Sequence, residues 1–178
     1  MAICGAPLVG KREILNRLAE SAGHADLEEK ERWSGERILR LRVTREVLAQ
    51  CRKATQSCWR PTVEGLELRL ASGHLFFEET VIKTIIDEVS LICYVVESAE
   101  TGPYQDSQNE YFRKYADLIR ENLPTATPWV WVLNKVDFGM TNPLEHLIPE
   151  ERRGDVVSTV AIKGRGIDVL WARILGYL

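Results

Sequence analysis

The sequence feature that most constrains the fold is a loop near the start of the chain, at residues 5–11 (Gly-Ala-Pro-Leu-Val-Gly-Lys). A short apolar run at residues 2–4 precedes it, and apolar residues at helical spacing follow it up to residue 22. A strand, a glycine-bounded loop ending in lysine, and a helix form the arrangement that binds phosphate groups. The full motif ends in Ser or Thr, but here Arg12 stands at that place. An ordinary strand-to-helix turn with an exposed lysine is the plain alternative for this loop alone.

Length and composition predict one domain over residues 1–178, because the chain is long enough for one core and too short for two ordinary domains. The net charge of −3 gives no reason to expect nucleic acid as a partner. The arginine-rich residues 36–45 are interpreted as the solvated face of a strand. With no signal peptide, membrane-spanning run or C-terminal cysteine in the sequence, we expect a cytoplasmic protein without a membrane anchor.

Apolar runs and helical periodicity alternate along the chain. The runs predict strands at residues 2–4, 38–43, 66–70, 89–96, 129–133 and 156–162. Helices are predicted after residue 11, at 80–87, after a capping box at 107–110, and at 167–178. The polar residues 24–36 are interpreted as an exposed loop, and residues 46–62 have no clear assignment. The alternation predicts an α/β fold with a mostly parallel central sheet and helices on both faces.

Three unusual loops follow predicted strands directly, at residues 5–11, 134–137 and 161–166. The carboxyl ends of parallel strands form the ligand crevice of such a sheet. We therefore expect the three loops to meet at one edge and to form a single site.

The second distinctive segment is Asn134-Lys135-Val136-Asp137, which follows a continuous apolar strand. In a site built for guanine, the Asp carboxylate accepts two hydrogen bonds, from the base N1–H and from the exocyclic amine. Adenine cannot offer this pair of donors. The Lys stem would cover the base plane, and the Asn side chain would tie loops together. The plain alternative is a strand-ending turn with charged residues.

With both loops in hand, the chain resembles the Ras-like small GTPases, which have a P-loop NTPase fold. Within them it looks like the bacterial group that includes the gliding-motility GTPase MglA. Residues 72–77 (Ser-Gly-His-Leu-Phe-Phe) are similar to that group's Pro-Gly-Gln-Val-Phe-Tyr stretch after the third strand. Residues 160–166 resemble the motif in which an alanine N–H meets the guanine oxygen and a lysine follows. Residues 35–39 resemble the first switch.

The resemblance implies that GTP and GDP are the ligands and that the chain acts as a cytoplasmic switch or scaffold in a bacterial polarity or signalling pathway. It also implies a protein partner at the switch face, for which a roadblock-type dimer is our leading candidate. The nucleotide-binding residues carried over from the motifs are Gly5, Leu8, Val9, Gly10, Lys11, Arg12, Asn134, Lys135, Asp137, Ala161, Ile162 and Lys163.

The departures from the family pattern concern the metal. Arg12 replaces the hydroxyl of the phosphate-binding loop, Ile38 stands at the place of the switch threonine, and Leu70 stands at an acidic position. None of these side chains offers an oxygen to a hard cation, so we predict no metal ligands and weak or absent Mg²⁺ binding. Phosphoryl transfer relies on Mg²⁺, so hydrolysis should be weak or absent. Arg12 either replaces part of the missing positive charge or points into solvent.

Two residues keep hydrolysis as a minor hypothesis. His74 stands at the place of the residue that orients water, and Arg37 aligns with an intrinsic arginine that could stabilise transition-state charge. For both we favour the plain interpretation, a loop residue and a strand-edge charge, because their metal partner is missing.

Three functions are therefore compared. The first is a guanine-nucleotide-binding protein with weak or absent hydrolysis. The second is a pseudoGTPase that binds no nucleotide and serves as a protein interaction module. An ordinary GTPase is the least favoured of the three.

Overall fold

A computed structural model describes residues 1–23, 26–31, 37–49, 65–70, 89–98, 127–139, 150 and 156–177, and every structural statement below concerns these residues. They contain one sheet with the strand order β2-β3-β4-β1-β5-β6-β7. The strands are β1 (Ala2–Cys4), β2 (Asp26–Glu31), β3 (Arg37–Thr44), β4 (Gly65–Leu70), β5 (Ile92–Glu97), β6 (Trp129–Asn134) and β7 (Val156–Thr159).

The sheet is mostly parallel. β4, β1, β5, β6 and β7 pair in parallel, whereas β2 and β3 form an antiparallel edge that joins β4. The predicted α/β class with a mostly parallel sheet is confirmed.

Strand β2 corrects the interpretation of residues 24–36 as a loop. Its sequence, Asp-Leu-Glu-Glu-Lys-Glu, lacks the hydrophobic run that identifies a strand. The register supplies the reason that it forms, because Asp26 lies opposite Arg42 and Glu28 lies opposite Arg40 on β3. On the other side of β3, Arg42 lies opposite Glu67 of β4. Opposite charges on facing strand positions favour pairing, so charge complementarity replaces apolar alternation here.

The described residues contain two α-helices and, in addition, a short helical stretch at residues 45–49. Helix α1 (Lys11–Ser21) buries Ile14, Leu15 and Leu18 and is followed by Gly23 in the left-handed conformation that favours glycine beyond a helix end. Helix α2 (Ile167–Gly176) packs against α1 and buries an apolar face. The indole Nε1 of Trp171 donates a hydrogen bond of 2.7 Å to Ser21 Oγ, which fixes the two helices together.

Both faces of the central strands are buried. On one face, side chains of α1 and α2 join a single apolar core with sheet residues that include Ile3, Cys93, Val95, Val130, Val132 and Val157. On the other face, Tyr94 and Trp131 are also buried, with their ring centroids 5.7 Å apart. A sheet buried on both faces is what near-continuous apolar strands predict. The helices predicted at 80–87 and after residue 107 lie outside the described residues.

Two strand boundaries differ from the prediction by three residues each. β5 begins at Ile92 rather than at residue 89, and β7 ends at Thr159 rather than at residue 162. Beyond Thr159 the chain turns back, because Val160 pairs with Arg165 and residues 161–163 form a single 3₁₀ turn. Gly164 and Gly166 have positive φ angles, which let the backbone close this short loop.

Candidate functional site

The loops that follow β1, β6 and β7 meet at one edge of the sheet. We name them the β1 loop (residues 5–10), the β6 loop (residues 135–139) and the β7 loop (residues 160–166). Asn134, at the end of β6, joins all three parts: its Nδ2 donates to Val9 O at 3.0 Å, and its Oδ1 accepts from Ala161 N at 3.1 Å. Oδ1 also accepts a 2.9 Å hydrogen bond from Thr159 Oγ1. The expectations that these loops gather at one edge and that the Asn side chain ties them together are met by these contacts.

The β1 loop requires glycine at both of its ends. Gly5 has φ +137°, and a Cβ there would lie 2.2 Å from Val95 O. Gly10 has φ +90° and immediately precedes α1, and a Cβ there would lie 2.4 Å from Asn134 Nδ2. The first motif therefore touches the second directly, and a side chain at residue 10 would push them apart.

Lys11 places its ammonium inside the β1 loop. The side chain is buried, with the residue 8% exposed, and Nζ donates to Gly5 O at 2.9 Å and to Ala6 O at 2.6 Å. Burial lowers the pKa of Lys11 from 10.5 to about 8. Burial also raises the pKa of the Cys4 thiol to about 12, so Cys4 stays neutral. The loop thus holds one cation beside the free N–H groups at the start of α1.

Two further residues of this region face outward. Leu8 is 65% exposed and has φ +64°, a left-handed conformation that costs an ordinary side chain about 1–2 kcal/mol. Arg12 is exposed in the first turn of α1. Of the two interpretations of Arg12, the exposure agrees with a side chain directed to solvent.

In the β6 loop, two charged side chains are held by neighbours of opposite charge. Lys135 has φ +62°, and its Nζ lies 2.9 Å from Glu97 Oε1 at the end of β5. Asp137 Oδ2 accepts a 2.7 Å hydrogen bond from Lys163 Nζ of the β7 loop. This hydrogen bond, with smaller contributions from the backbone and nearby charges, lowers the pKa of Asp137, so its carboxylate is ionised at neutral pH.

The β7 loop presents both buried and exposed groups. Ala161 is buried, and its N–H is bonded to Asn134, whereas the adjacent Ile162 is 71% exposed. Phe138 in the β6 loop is likewise exposed. Apolar side chains therefore flank the Asp137–Lys163 pair along the chain on the β6 and β7 loops.

Known proteins resemble this chain in structure rather than in sequence. No protein-family model and no curated protein sequence matches the chain. The crystal structure of the G domain of the T. maritima FeoB iron transporter is similar to it, with a TM-score of 0.58. The similarity covers 99% of this chain and 96% of that chain, at 14% sequence identity. The chain has the fold of a P-loop G domain.

In a P-loop of this fold, backbone N–H groups and the lysine hold nucleotide phosphates, and a Ser or Thr hydroxyl binds Mg²⁺. The phosphate-binding part fits this chain, because no side chain caps the N-terminus of α1 at Gly10 and Lys11 supplies a buried cation. The metal-binding part does not fit. Arg12 stands in place of the hydroxyl, and Leu70, the residue at the acidic position, is a buried apolar side chain.

The described residues contain no group of three or more His, Cys, Asp and Glu side chains that could hold a metal ion. His74 lies outside the described residues, and Arg37 begins β3. Leu39 pairs with Leu70 at the end of β4, so the start of β3 lies toward the edge of the sheet at which the parallel strands end. In the described part of the chain, no helix is long and apolar enough to cross a bilayer.

Three supporting residues of the G-domain edge were missed by sequence reasoning. Thr159 bonds Asn134, and the N–H of Ser98 donates to Asn134 O at 2.8 Å while its hydroxyl donates to Gly139 O. Arg17 of α1 donates to Ala161 O and Ile162 O. Thr159 ends strand β7, and Ser98 immediately follows strand β5. A polar residue at the end of an apolar strand is a signal by which both could have been found. The sequence around Arg17 is misleading, because Glu13 and Glu20 at helical spacing predict only ordinary ion pairs on a helix surface.

Proposed function

We propose that this chain binds guanine nucleotides at the edge where the β1, β6 and β7 loops meet, and that it hydrolyses GTP weakly or not at all. The observation that carries the proposal is the side chain of Asn134. It fixes a phosphate-binding loop at Val9 to the backbone of the β7 loop at Ala161, so both subsites of one ligand belong to one hydrogen-bonded unit.

The phosphate subsite consists of the β1 loop and the start of α1. The backbone N–H groups there and the Lys11 ammonium are the groups that would meet a diphosphate or triphosphate. The ammonium now bonds two carbonyl oxygens of its own loop. A phosphate offers it a charged acceptor instead of neutral ones, and charge-assisted hydrogen bonds are the stronger kind.

The base subsite consists of Asp137 with the Lys135 stem and residues 161–163. The Asp137 carboxylate is ionised, so its oxygens accept the two donors on the guanine edge. Lys135 is held by Glu97, which orients its aliphatic stem. Adenine presents no matching pair of donors at this edge, so the base subsite should discriminate against adenine nucleotides.

Weak or absent hydrolysis follows from the metal side of the site. Arg12 and Leu70 offer no side-chain oxygen, and phosphoryl transfer depends on Mg²⁺ to neutralise the β- and γ-phosphates. His74 and Arg37 remain minor candidates for residual hydrolysis. In the cell we propose a cytoplasmic switch or scaffold whose switch face meets a protein partner, with a roadblock-type dimer as the leading candidate. This role rests on the resemblance to the MglA-like group.

The test compares purine diphosphates. Wild-type protein should bind GDP more tightly than inosine diphosphate, which lacks the exocyclic amine, and should bind ADP least. Asp137→Ala should bind GDP and inosine diphosphate equally, because the carboxylate that reads the amine is gone. Asp168→Ala, an exposed aspartate in the first turn of α2, is the matched control and should keep the wild-type order. Equal affinity of the wild type for GDP and ADP would contradict guanine recognition.

One observation favours a second candidate, a pseudoGTPase that binds no nucleotide and acts as an interaction module. Both charges that would meet the ligand already have internal partners, Lys11 on two carbonyls and Asp137 on Lys163. If this is the function, Lys11→Ala and Asp137→Ala variants should keep full partner binding and stability. Loss of partner binding in both variants would exclude it.

A further inference from the structure

We infer that Arg17 is a positioning residue, whose guanidinium holds the β7 loop on helix α1 and thereby sets the distance between the base subsite and the phosphate subsite. The inference rests on the proposed function, since it assigns a role within the same nucleotide site. It concerns a residue on the helix that follows the β1 loop, six positions after Lys11.

The contacts of Arg17 with the β7 loop are bidentate. Nε donates to Ala161 O at 3.0 Å, and Nη2 donates to Ile162 O at 2.8 Å. Two consecutive carbonyl groups are therefore bound by one planar guanidinium. Arginine suits this arrangement because its donors form a rigid fork, whereas the ammonium of a lysine is a single point of charge.

The guanidinium is itself fixed by two acids of its own helix. Nε also lies 3.0 Å from Glu13 Oε1, and Nη1 donates to Glu20 Oε2 at 2.8 Å. These contacts lie four residues before and three residues after Arg17 on one side of α1. The side chain therefore has a restricted direction, and the β7 loop is attached to the helix at a defined place.

The backbone of Ala161 is held on both sides of its Cα atom. Its N–H donates to Asn134 Oδ1 at the end of β6, and its C=O accepts from Arg17 on α1. Each of the two peptide groups that flank this Cα atom is therefore fixed by one hydrogen bond, and rotation of either would break it. Since Asn134 also bonds Val9, the β7 loop is placed relative to the β1 loop from both sides, through Asn134 and through α1.

A merely structural role for Arg17 makes a different prediction. If Arg17 only stabilised α1 through its ion pairs with Glu13 and Glu20, its removal would affect every ligand of the α1 N-terminus. If it positions the β7 loop, removal should weaken ligands that carry a base and spare ligands that consist of phosphate alone. Pyrophosphate and GDP are therefore the discriminating pair of probes.

The experiment measures the binding affinity for GDP by calorimetry and that for pyrophosphate by competition. Both are measured for the wild-type chain and for three variants. Arg17→Met keeps the aliphatic stem but has no hydrogen-bond donors. It should weaken the binding of GDP about tenfold and the binding of pyrophosphate less than about twofold. Arg17→Lys should recover only part of the GDP affinity, because it cannot bind both carbonyls at once. Glu20→Gln, which removes an ion pair and leaves the carbonyl contacts, is the control and should bind both probes as the wild type does.

Hydrogen exchange supplies a readout that needs no ligand. In Arg17→Met, the amides of Lys163 and Gly164, which bond within the β7 loop, should exchange faster. The amide of Ile14, which bonds Gly10 O within α1, should exchange at the wild-type rate. Equal losses of GDP and pyrophosphate, or wild-type exchange in the β7 loop, would overturn the positioning role alone. A wild-type protein that binds neither GDP nor pyrophosphate would overturn the proposed function and this role together.

Discussion

The proposed base-facing and phosphate-facing halves of the loop edge are held together by different means. In the base-facing half, side chains do the holding: Asn134 and Thr159 bond one another, Arg17 binds the β7 loop, and Lys163 binds Asp137. In the phosphate-facing half, the loop contributes backbone carbonyl groups: Lys11 bonds those of Gly5 and Ala6, and Asn134 bonds that of Val9.

This difference matches what each half would recognise under the proposed function. Reading a base edge needs donors and acceptors at fixed positions, so a network of mutually bonded side chains is suited to it. Binding a phosphate needs positive charge and open backbone N–H groups, which glycine and one lysine supply. The metal-binding hydroxyl that a complete P-loop adds to this half is replaced by Arg12. We therefore expect loss of the buried Asn134 side chain to cost stability, and loss of the Lys11 charge to change affinity.

The largest effect on stability is expected for Asn134→Ala. The residue is 3% exposed, and its removal leaves Val9 O, the Thr159 hydroxyl and the Ala161 N–H without their partner. We expect the free energy of unfolding to fall by about 3 kcal/mol, measured by urea denaturation. Asp137→Ala, an exposed position of the same motif, should leave it near the wild-type value. A small loss for Asn134→Ala would show that the network does not hold the edge together.

The next effect tests the contact between the halves. Gly10→Ala introduces a Cβ 2.4 Å from Asn134 Nδ2 at a φ of +90°, and we expect a loss of about 2 kcal/mol in unfolding free energy. Gly23→Ala is the matched control, because its φ is +79° but no atom lies within 4 Å of the added Cβ. It should cost about 1 kcal/mol from backbone strain. Equal losses for the two variants would mean that residue 10 can accept a side chain without displacing Asn134.

The third prediction concerns pH and Lys11. Phosphate ligands need the charged ammonium, so GDP affinity should fall as pH rises through about 8. Above the free-state pKa of about 8 the fall should approach about tenfold per pH unit, and it should level off once pH exceeds the pKa of Lys11 in the bound state. Stability should move in the opposite direction: between about pH 8 and pH 10.5 the unfolded chain binds more protons at Lys11 than the folded chain, so stability rises with pH there. Calorimetric titrations and urea denaturation at pH 7 to 10 check both signs.

The Lys11→Met variant separates this lysine from other groups that titrate in the same range. Its GDP affinity should be low at every pH, with no inflection near pH 8. An unchanged inflection in the variant would assign the pH dependence to another group and would contradict the role of Lys11.

The smallest effect is expected for Leu8→Gly. The left-handed conformation of Leu8 costs about 1–2 kcal/mol, and glycine removes that strain but loses more entropy on folding. A net gain of about 0.5 kcal/mol in unfolding free energy is expected from thermal or urea denaturation. Destabilisation by this change would show that the exposed Leu8 side chain makes packing interactions that outweigh its strain.

Sequence reasoning predicted that the three loops meet at one edge because each follows an apolar run. The runs before residues 5 and 134 are buried on both faces, so the edge where the β1 loop and Asn134 meet was predictable. The parallel class of the sheet followed from the same runs.

Strand β2, the contacts of Arg17 and the end of β7 were not predictable, because they depend on electrostatic or long-range contacts that the local sequence does not show. Strand β2 is specified by acids opposite the arginines of β3, a pairing that appears only when the register is known. Arg17 is separated from Ala161 by 144 residues, and its local neighbours suggest a surface helix. The predicted β7 extended too far along the chain. The chain reverses direction at Val160 because of its bridge to Arg165, and apolar character does not reveal this reversal.

The central claim is guanine recognition that does not depend on a protein-held metal. The most direct measurement is a titration of the purified protein with a fluorescent GDP analogue, in Mg²⁺ and in EDTA, with unlabelled GDP and ADP as competitors. We predict saturable binding that GDP displaces and ADP does not, with a Kd that changes less than about twofold between the two buffers. Binding that disappears in EDTA would contradict the account of Arg12 and Leu70, and a wild-type protein with no saturable binding would contradict guanine recognition itself.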